Sequence, residues 1–178
     1  MPKVELREGF YTLLHPRPVV LIVATDPEGK ANAMACAWIT PVSEEPPILA
    51  ACLSEESYTR ELILKTREFT VNIPTAQLLE AVRVAGAKSG RKVDKIPLMR
   101  VTLSPSKAVK PPIIAECVGH IECKMRESVV MGECTVFFAD VVAAYADKEL
   151  LARGLWRLDR AEVLLHVGGN RFAKAQPL

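Results

Sequence analysis

The chain has 178 residues, 23 Lys plus Arg against 21 Asp plus Glu, a formal net charge of +2 and 49% hydrophobic residues. That length suits one domain, taken here as residues 1–178, and the near-neutral balance excludes the broad basic field that drives nonspecific nucleic-acid binding. Aromatic residues make up only 6%, so a flat conjugated ligand would find few stacking partners and would have to lean on backbone and aliphatic surfaces.

After Pro16-Arg17-Pro18, the β-branched run 19–25 has the length and composition of a buried strand. Asp26-Pro27-Glu28-Gly29-Lys30 pairs a Pro-fixed φ with a Gly able to take φ > 0, which predicts a reversal into an antiparallel strand over 31–40. Pro41, Pro46 and Pro47 punctuate a loop before a third strand at 48–53, and 68–73 reads as a fourth. Between these two lies a short helix, capped by Ser57 or Thr59 and ending near Thr66. Thr75 is a candidate cap for a second helix through Ala87, with Leu78, Leu79, Val82 and Ala85 on one face. A basic loop at 88–92 follows, then a Pro-rich stretch that keeps strands short. Two longer extended segments, 115–125 and 134–146, join near Gly132; a helical piece at 148–153, a strand at 163–167 and a polar tail complete the chain. The strands fall mostly in hairpin order and the helices are too few to alternate with them, so the expected class is mainly β: a small antiparallel barrel.

No run approaches the ~20 apolar residues of a membrane span, and the N-terminus lacks the basic-then-apolar order of a secretory signal. Five cysteines, an odd number without C-x-x-C spacing, argue against a disulfide framework and for a reducing, cytoplasmic setting. Neither G-x-G-x-x-G nor the P-loop pattern is present, and Ser89 does not sit in a hydrolase elbow. His120 and Glu122, with Glu116, share one face of a predicted strand; without a further histidine they read as a polar outer face and not as metal ligands, and Cys117 and Cys123 on the other face read as core. No metal is expected.

Two loops carry phosphate-compatible chemistry. Ser54 and Thr59 lie between a strand end and a helix start, where free N–H groups favour an anion; simple capping explains this segment equally well. Lys88 and Ser89, with Arg91, stand on a Gly-flexed turn, and together the two loops could clamp one phosphate. The small side chains of 33–37 either let a ligand approach the backbone or pack closely under a helix, and periodicity does not separate the two.

Three segments in order resemble the flavin reductase-like family of FMN-binding split barrels. They are Arg17-Pro18-Val19-Val20 through Asn32-Ala33-Met34 to Trp38-Ile39-Thr40-Pro41-Val42-Ser43; Pro46-Pro47-Ile48 through Leu53-Ser54 and Tyr58-Thr59-Arg60-Glu61-Leu62-Ile63; and Ala85-Gly86-Ala87-Lys88-Ser89-Gly90-Arg91-Lys92-Val93-Asp94-Lys95. The resemblance covers roughly 15–170 and implies a Greek-key-like split β-barrel with a few flanking helices, binding FMN. It implies that Asn32, Met34, Ala35, Cys36, Ala37, Trp38 and Thr40 line the isoalloxazine, that Leu53 and Ser54 lie by the ribityl-phosphate chain, and that Tyr58, Thr59, Lys88 and Ser89 hold the phosphate. Cys36 alone reads more simply as a small buried side chain. A homodimer with flavin near the subunit interface is also implied. Cys134 stands where many relatives carry a histidine near the nicotinamide, and Ala37 where a serine is frequent.

The expected activity is FMN-dependent oxidoreduction through flavin N5, with NADH or NADPH as donor and a flavin, ferric complex or partner protein as acceptor. No side chain is singled out as catalytic. The alternatives are an FMN-binding electron carrier without a nicotinamide site, and a barrel whose pocket is empty or holds another phosphate ligand.

Overall fold

The computed structural model describes residues 1–178. Its strands are β1 (Arg17–Pro18), β2 (Val20–Thr25), β3 (Ala31–Cys36), β4 (Ile39–Ser43), β5 (Ile48–Ser54), β6 (Glu68–Ile73), β7 (Leu103–Ser104), β8 (Ile113–Ile114), β9 (Gly119–Met131), β10 (Cys134–Ala146), β11 (Leu151–Ala152), β12 (Leu155–Trp156), β13 (Leu164–Gly168) and β14 (Arg171–Lys174). The α-helices are α1 (Tyr58–Thr66), α2 (Leu79–Ala87) and α3 (Lys95–Met99). Seven strands form one antiparallel sheet in the order β3-β2-β6-β9-β10-β5-β4.

The edge strands β3 and β4 are joined by only Ala37 and Trp38. The sheet therefore has to curl until its edges meet, which makes a split barrel. Trp38 C=O accepts from Cys52 N–H at 2.8 Å, and the Cys36 thiol reaches Trp38 O at 3.7 Å and Cys52 O at 4.0 Å. The single strand expected over 31–40 is thus corrected to two. One uninterrupted strand could not leave one edge of the sheet and enter the other.

Hairpins β2-β3, β4-β5 and β9-β10 supply local pairing, and the β5-to-β6 connection crosses over through α1, giving the Greek-key-like path. The 26–30 turn forms as read: Gly29 takes φ 92°, and Asp26 caps Lys30 N–H through Oδ1 at 2.7 Å. Ser57 is the N-cap of α1, accepting from Arg60 N–H at 3.4 Å, while Thr59 is buried. Arg60 Nε donates to buried Thr135 Oγ1 at 2.6 Å and ties this helix to β10. Thr75 does not cap through its side chain; a 3-10 turn, Ala76–Leu78, leads into α2.

β2 is buried along its whole length because both faces are covered. Val20, Ile22 and Ala24 enter the barrel interior with Leu53, Phe69, Val71, Phe137 and the α1 residues Leu62 and Ile63. Leu21 and Val23 face the other way, against Ala81, Val82 and Ala85 of α2 and Met99 of α3. This explains why the run 19–24 is continuously apolar instead of alternating.

Three further expectations change. The helical piece at 148–153 is one 3-10 turn, Lys148–Leu150, followed by the small β11-β12 hairpin, whose turn uses Arg153 at φ 51° and Gly154 at φ 80°. The expected polar tail contains β14, which pairs with β13 and, through it, with β1. His120 and Glu122 do not form an outer face, for Glu122 is fully buried and His120 is 8% exposed. Glu122 accepts from the backbone N–H groups of Lys107, Ala108 and Val109 and from Tyr145 Oη, while His120 Nδ1 pairs with Asn72 Oδ1 at 2.9 Å. Glu116 lies before β9 and caps Thr102 N–H. Cys117 and Cys123 are buried in the core, as read. No group of His, Cys, Asp or Glu is arranged to hold a metal, and no helix is long and apolar enough to cross a membrane.

Burial pushes the Glu122 carboxyl up, but the three N–H donors and the Tyr145 hydroxyl outweigh it, so the group lies below its ordinary value. Its stabilising contribution is complete above the unfolded carboxylate pKa of ~4.3 and is lost as pH falls through the depressed folded value. Glu122→Gln should lower stability at pH 7 by about 2 kcal/mol and flatten the loss on acidification. Urea unfolding of both proteins from pH 3 to 7 measures this.

Candidate functional site

The clearest concentration of polar donors surrounds a cavity of about 310 Å³ between β3, the start of α1 and the loop after α2. Asn32, Met34, Ala35, Ser54, Tyr58, Thr59, Lys88 and Ser89 all line it, so the barrel brings together the two loops that the sequence separates by about thirty residues. Asn32 donates through Nδ2 to Thr59 Oγ1 at 2.7 Å. That leaves the Thr59 hydroxyl proton free for an acceptor in the cavity. Ser57 Oγ contacts Met34 Sδ at 3.2 Å, and Ser54 Oγ accepts from Glu56 N–H at 3.3 Å.

The 88–92 loop is held rigidly. A Cβ on Gly90 would lie 2.1 Å from Asn32 Oδ1 and 2.9 Å from the Tyr58 ring. Arg91 reaches across to Glu56 O and the Glu61 carboxylate and covers the Tyr58 ring at 5.7 Å. Arg91, read from sequence as a phosphate donor, is therefore committed to fastening the loop to α1. Its hydrogen bond draws the Glu61 carboxyl below the ordinary range.

Lys95 was missed as a cavity residue. Asp94 caps α3 by accepting from Ile96 N–H at 3.2 Å, which turns Lys95 inward, 4% exposed, to line the cavity and donate to Ala85 O at 3.1 Å. Burial brings its amine down to about 8. The sequence signal was an Asp N-cap immediately before the lysine.

Ala35, Gly86 and Ala87 also line a second cavity, of about 320 Å³. Small side chains make this wall: a Cβ on Gly86 would stand 3.6 Å from Ala35 Cβ, in ordinary contact. The small-residue segment divides between two environments. Ala33 is fully buried under α2, whereas Ala35 and Ala37 line cavities. Arg83, His166, Asn170 and Phe172 close the far end, where Arg83 Nε and His166 Nδ1 are buried without a hydrogen-bond partner. Nothing local in the sequence announces this end, because it joins α2 to the β13-β14 hairpin across 80 residues.

The remaining predicted residues divide. Cys36 lies at the wall of the second cavity, 5% exposed, its thiol pushed up to about 12 by burial. Trp38 packs edge-on to Tyr11 at 5.5 Å with the Arg17 guanidinium over it, and lines two outer cavities; Thr40 lines one of these. Leu53 lines none of these four cavities, because alternation along β5 turns it into the barrel core, 1% exposed.

A family model described as "Flavin reductase like domain" matches residues 12–171. The chain belongs to the flavin reductase-like family. Among its relatives, the uncharacterized protein PYRAB12460 of Pyrococcus abyssi is 32% identical over 93% of this chain and 94% of that protein. The "Flavin reductase (NADH)" of Kitasatospora aureofaciens is 27% identical over 72% of this chain and 65% of that protein. Among solved structures, flavoredoxin from Methanosarcina acetivorans superposes with TM-score 0.86 at 28% identity, covering 100% of this chain and 92% of that one.

In this flavin reductase-like chain, Gly90→Ala should displace Asn32 or Tyr58 and destabilise by about 1–3 kcal/mol. Thermal unfolding reads the loss; an unchanged melting temperature would show that the loop is not packed as described.

Proposed function

We propose that the protein is an FMN-dependent oxidoreductase, an NAD(P)H-dependent flavin or ferric reductase acting as a homodimer. The observation that carries this reading is the groove formed by two adjoining cavities, one lined by hydroxyls and lysines and the other by Ala35, Ala37, Gly86 and Ala87. The donor set fits a flavin mononucleotide: Lys88, Lys95, Ser89 and the free Thr59 proton answer a phosphate dianion, and small residues leave room for a flat ring. The flavin supplies the hydride and electron chemistry when bound. The chain's own residues bind and orient it. Asn32 fixes the Thr59 hydroxyl, Gly90 lets the loop close on Asn32 and Tyr58, and Arg83 and His166 stand at the end away from the lysines.

A second reading, an FMN-binding electron carrier without a nicotinamide site, is favoured by Cys134, which stands where many members of the family carry a histidine. Anaerobic mixing of FMN-loaded protein with NADH and with NADPH separates the two. Bleaching of the bound flavin by either supports the reductase; a flavin that only dithionite bleaches makes the protein a carrier. A protein that takes up no FMN on titration rejects both.

The phosphate assignment has its own test. Thr59→Ala with Lys88→Met should weaken FMN by roughly tenfold to a hundredfold and riboflavin little; equal losses place the phosphate elsewhere. The Lys95 amine, at about 8 in the free protein, would be raised by a dianion beside it. Binding therefore takes up a proton above pH 8, and the preference for FMN over riboflavin should fall as pH rises through about 8. Lys95→Met should abolish that slope.

A further inference from the structure

Beside the groove, and sharing Ser54 and Glu56 with it, lies a third cavity of about 580 Å³ walled by Tyr11 and Trp38. Two cysteines open into it. In the β5-β10 ladder Cys134 stands opposite Ser54 and Val136 opposite Cys52, so Cys52 and Cys134 are diagonal neighbours. They share the outward face, while the intervening Leu53 and Thr135 point into the barrel. Burial, with the neighbouring Cys134 thiol, pushes the Cys52 thiol up to about 11. Cys36, Cys117 and Cys123 are at most 5% exposed and do not compete for a ligand here.

We propose that Cys52 and Cys134 form a dithiol that undergoes exchange with small, positively charged disulfides entering this cavity. The charge preference comes from Glu55, Glu56 and Glu133, which line it. Glu55 is paired with Arg60 at 3.5 Å, whereas the carboxylates of Glu56 and Glu133 have no ion-pair partner.

The steps balance. Cys134, as thiolate, attacks one sulfur of R–S–S–R; that bond breaks, and the departing RS⁻ takes up the proton Cys134 released. Cys52 then gives its proton to solvent and attacks the Cys134 sulfur, expelling the second R–S⁻, which is protonated in turn. One external disulfide becomes two thiols, and the protein loses two electrons and two protons. Cys134 is the first residue of β10, directly after the turn at Gly132, φ 59°. A strand end can make the small shift that a diagonal bridge needs. Cys52, with its raised thiol in mid-sheet, suits the resolving role. The exchange needs no flavin, so it stands or falls independently of the function proposed above.

The test uses purified protein, with and without added FMN, treated anaerobically with cystamine, a dication, or with 3,3′-dithiodipropionate, a dianion. Cystamine should release two thiols per chain, remove two hydrogens from the intact mass and give a Cys52–Cys134 linked peptide on non-reducing digestion. It should react about tenfold faster than the dianion at low salt, and Glu56→Gln with Glu133→Gln should erase most of that difference. Cys52→Ser should stop after one thiol, with the mixed disulfide on Cys134, and Cys134→Ser should release none. Circular dichroism checks that both variants fold. Single adducts without the linked peptide in the wild type, or full thiol release from Cys134→Ser, overturn the proposal.

Discussion

Ala37 and Trp38 are the whole of the chain between the two edges of a seven-stranded sheet. Everything else follows from that short connection. With so little chain to span them, β3 and β4 must meet, the sheet must close, and a barrel interior exists for Phe69, Phe137, Leu53 and Ile22 to fill. At the junction of the two edges Trp38 C=O accepts from Cys52 N–H, so curling brings them together without a ladder between β3 and β4. It sets the start of α1, the end of α2 and the β13-β14 hairpin around the same lip, so that groups from distant parts of the sequence line adjoining cavities.

Two kinds of cohesion then divide the labour. Apolar burial on both faces of β2 holds the barrel to its helical layer, and buried polar pairs fix the loops. Glu122 gathers the N–H groups of residues 107–109 through a carboxylate that lies inside, and Asn72 bridges Leu21 O, Ile114 N–H and His120. Satisfied networks of this kind hold one loop arrangement where an apolar substitute would tolerate several. They also account for a strongly polar stretch inside β9 that strand alternation alone assigns to solvent.

The sequence made the local grammar legible. The Pro-Gly turn at 26–30, the continuous run 19–24, the Ser57 cap and the core cysteines could be read because each depends on neighbours within a few residues. The family resemblance then drew residues of two separate loops into one proposed site, and both loops line one cavity. What stayed hidden depended on distance. A two-residue break within 31–40 looks like uninterrupted strand until the sheet order is known. Glu122 is indistinguishable from a surface carboxylate until residues 107–109 fold over it. Leu53 alternates inward, and Arg91 finds Glu61 thirty positions away, so neither could be assigned from its own segment. Lys95 and the Arg83–His166 end needed the packing of α2 and α3 to bring them to the groove.

The fastening of the 88–92 loop by Arg91 carries a kinetic consequence. A loop already bound to Glu56, Glu61 and the Tyr58 ring has little freedom left to lose when a ligand arrives, so the ordering penalty of association there is small. A ligand held at that end is gripped by a preformed socket and leaves without a lid having to open. Conformational freedom lies instead at the opposite end, where the β13-β14 hairpin turns through Gly168 and Gly169, both at positive φ.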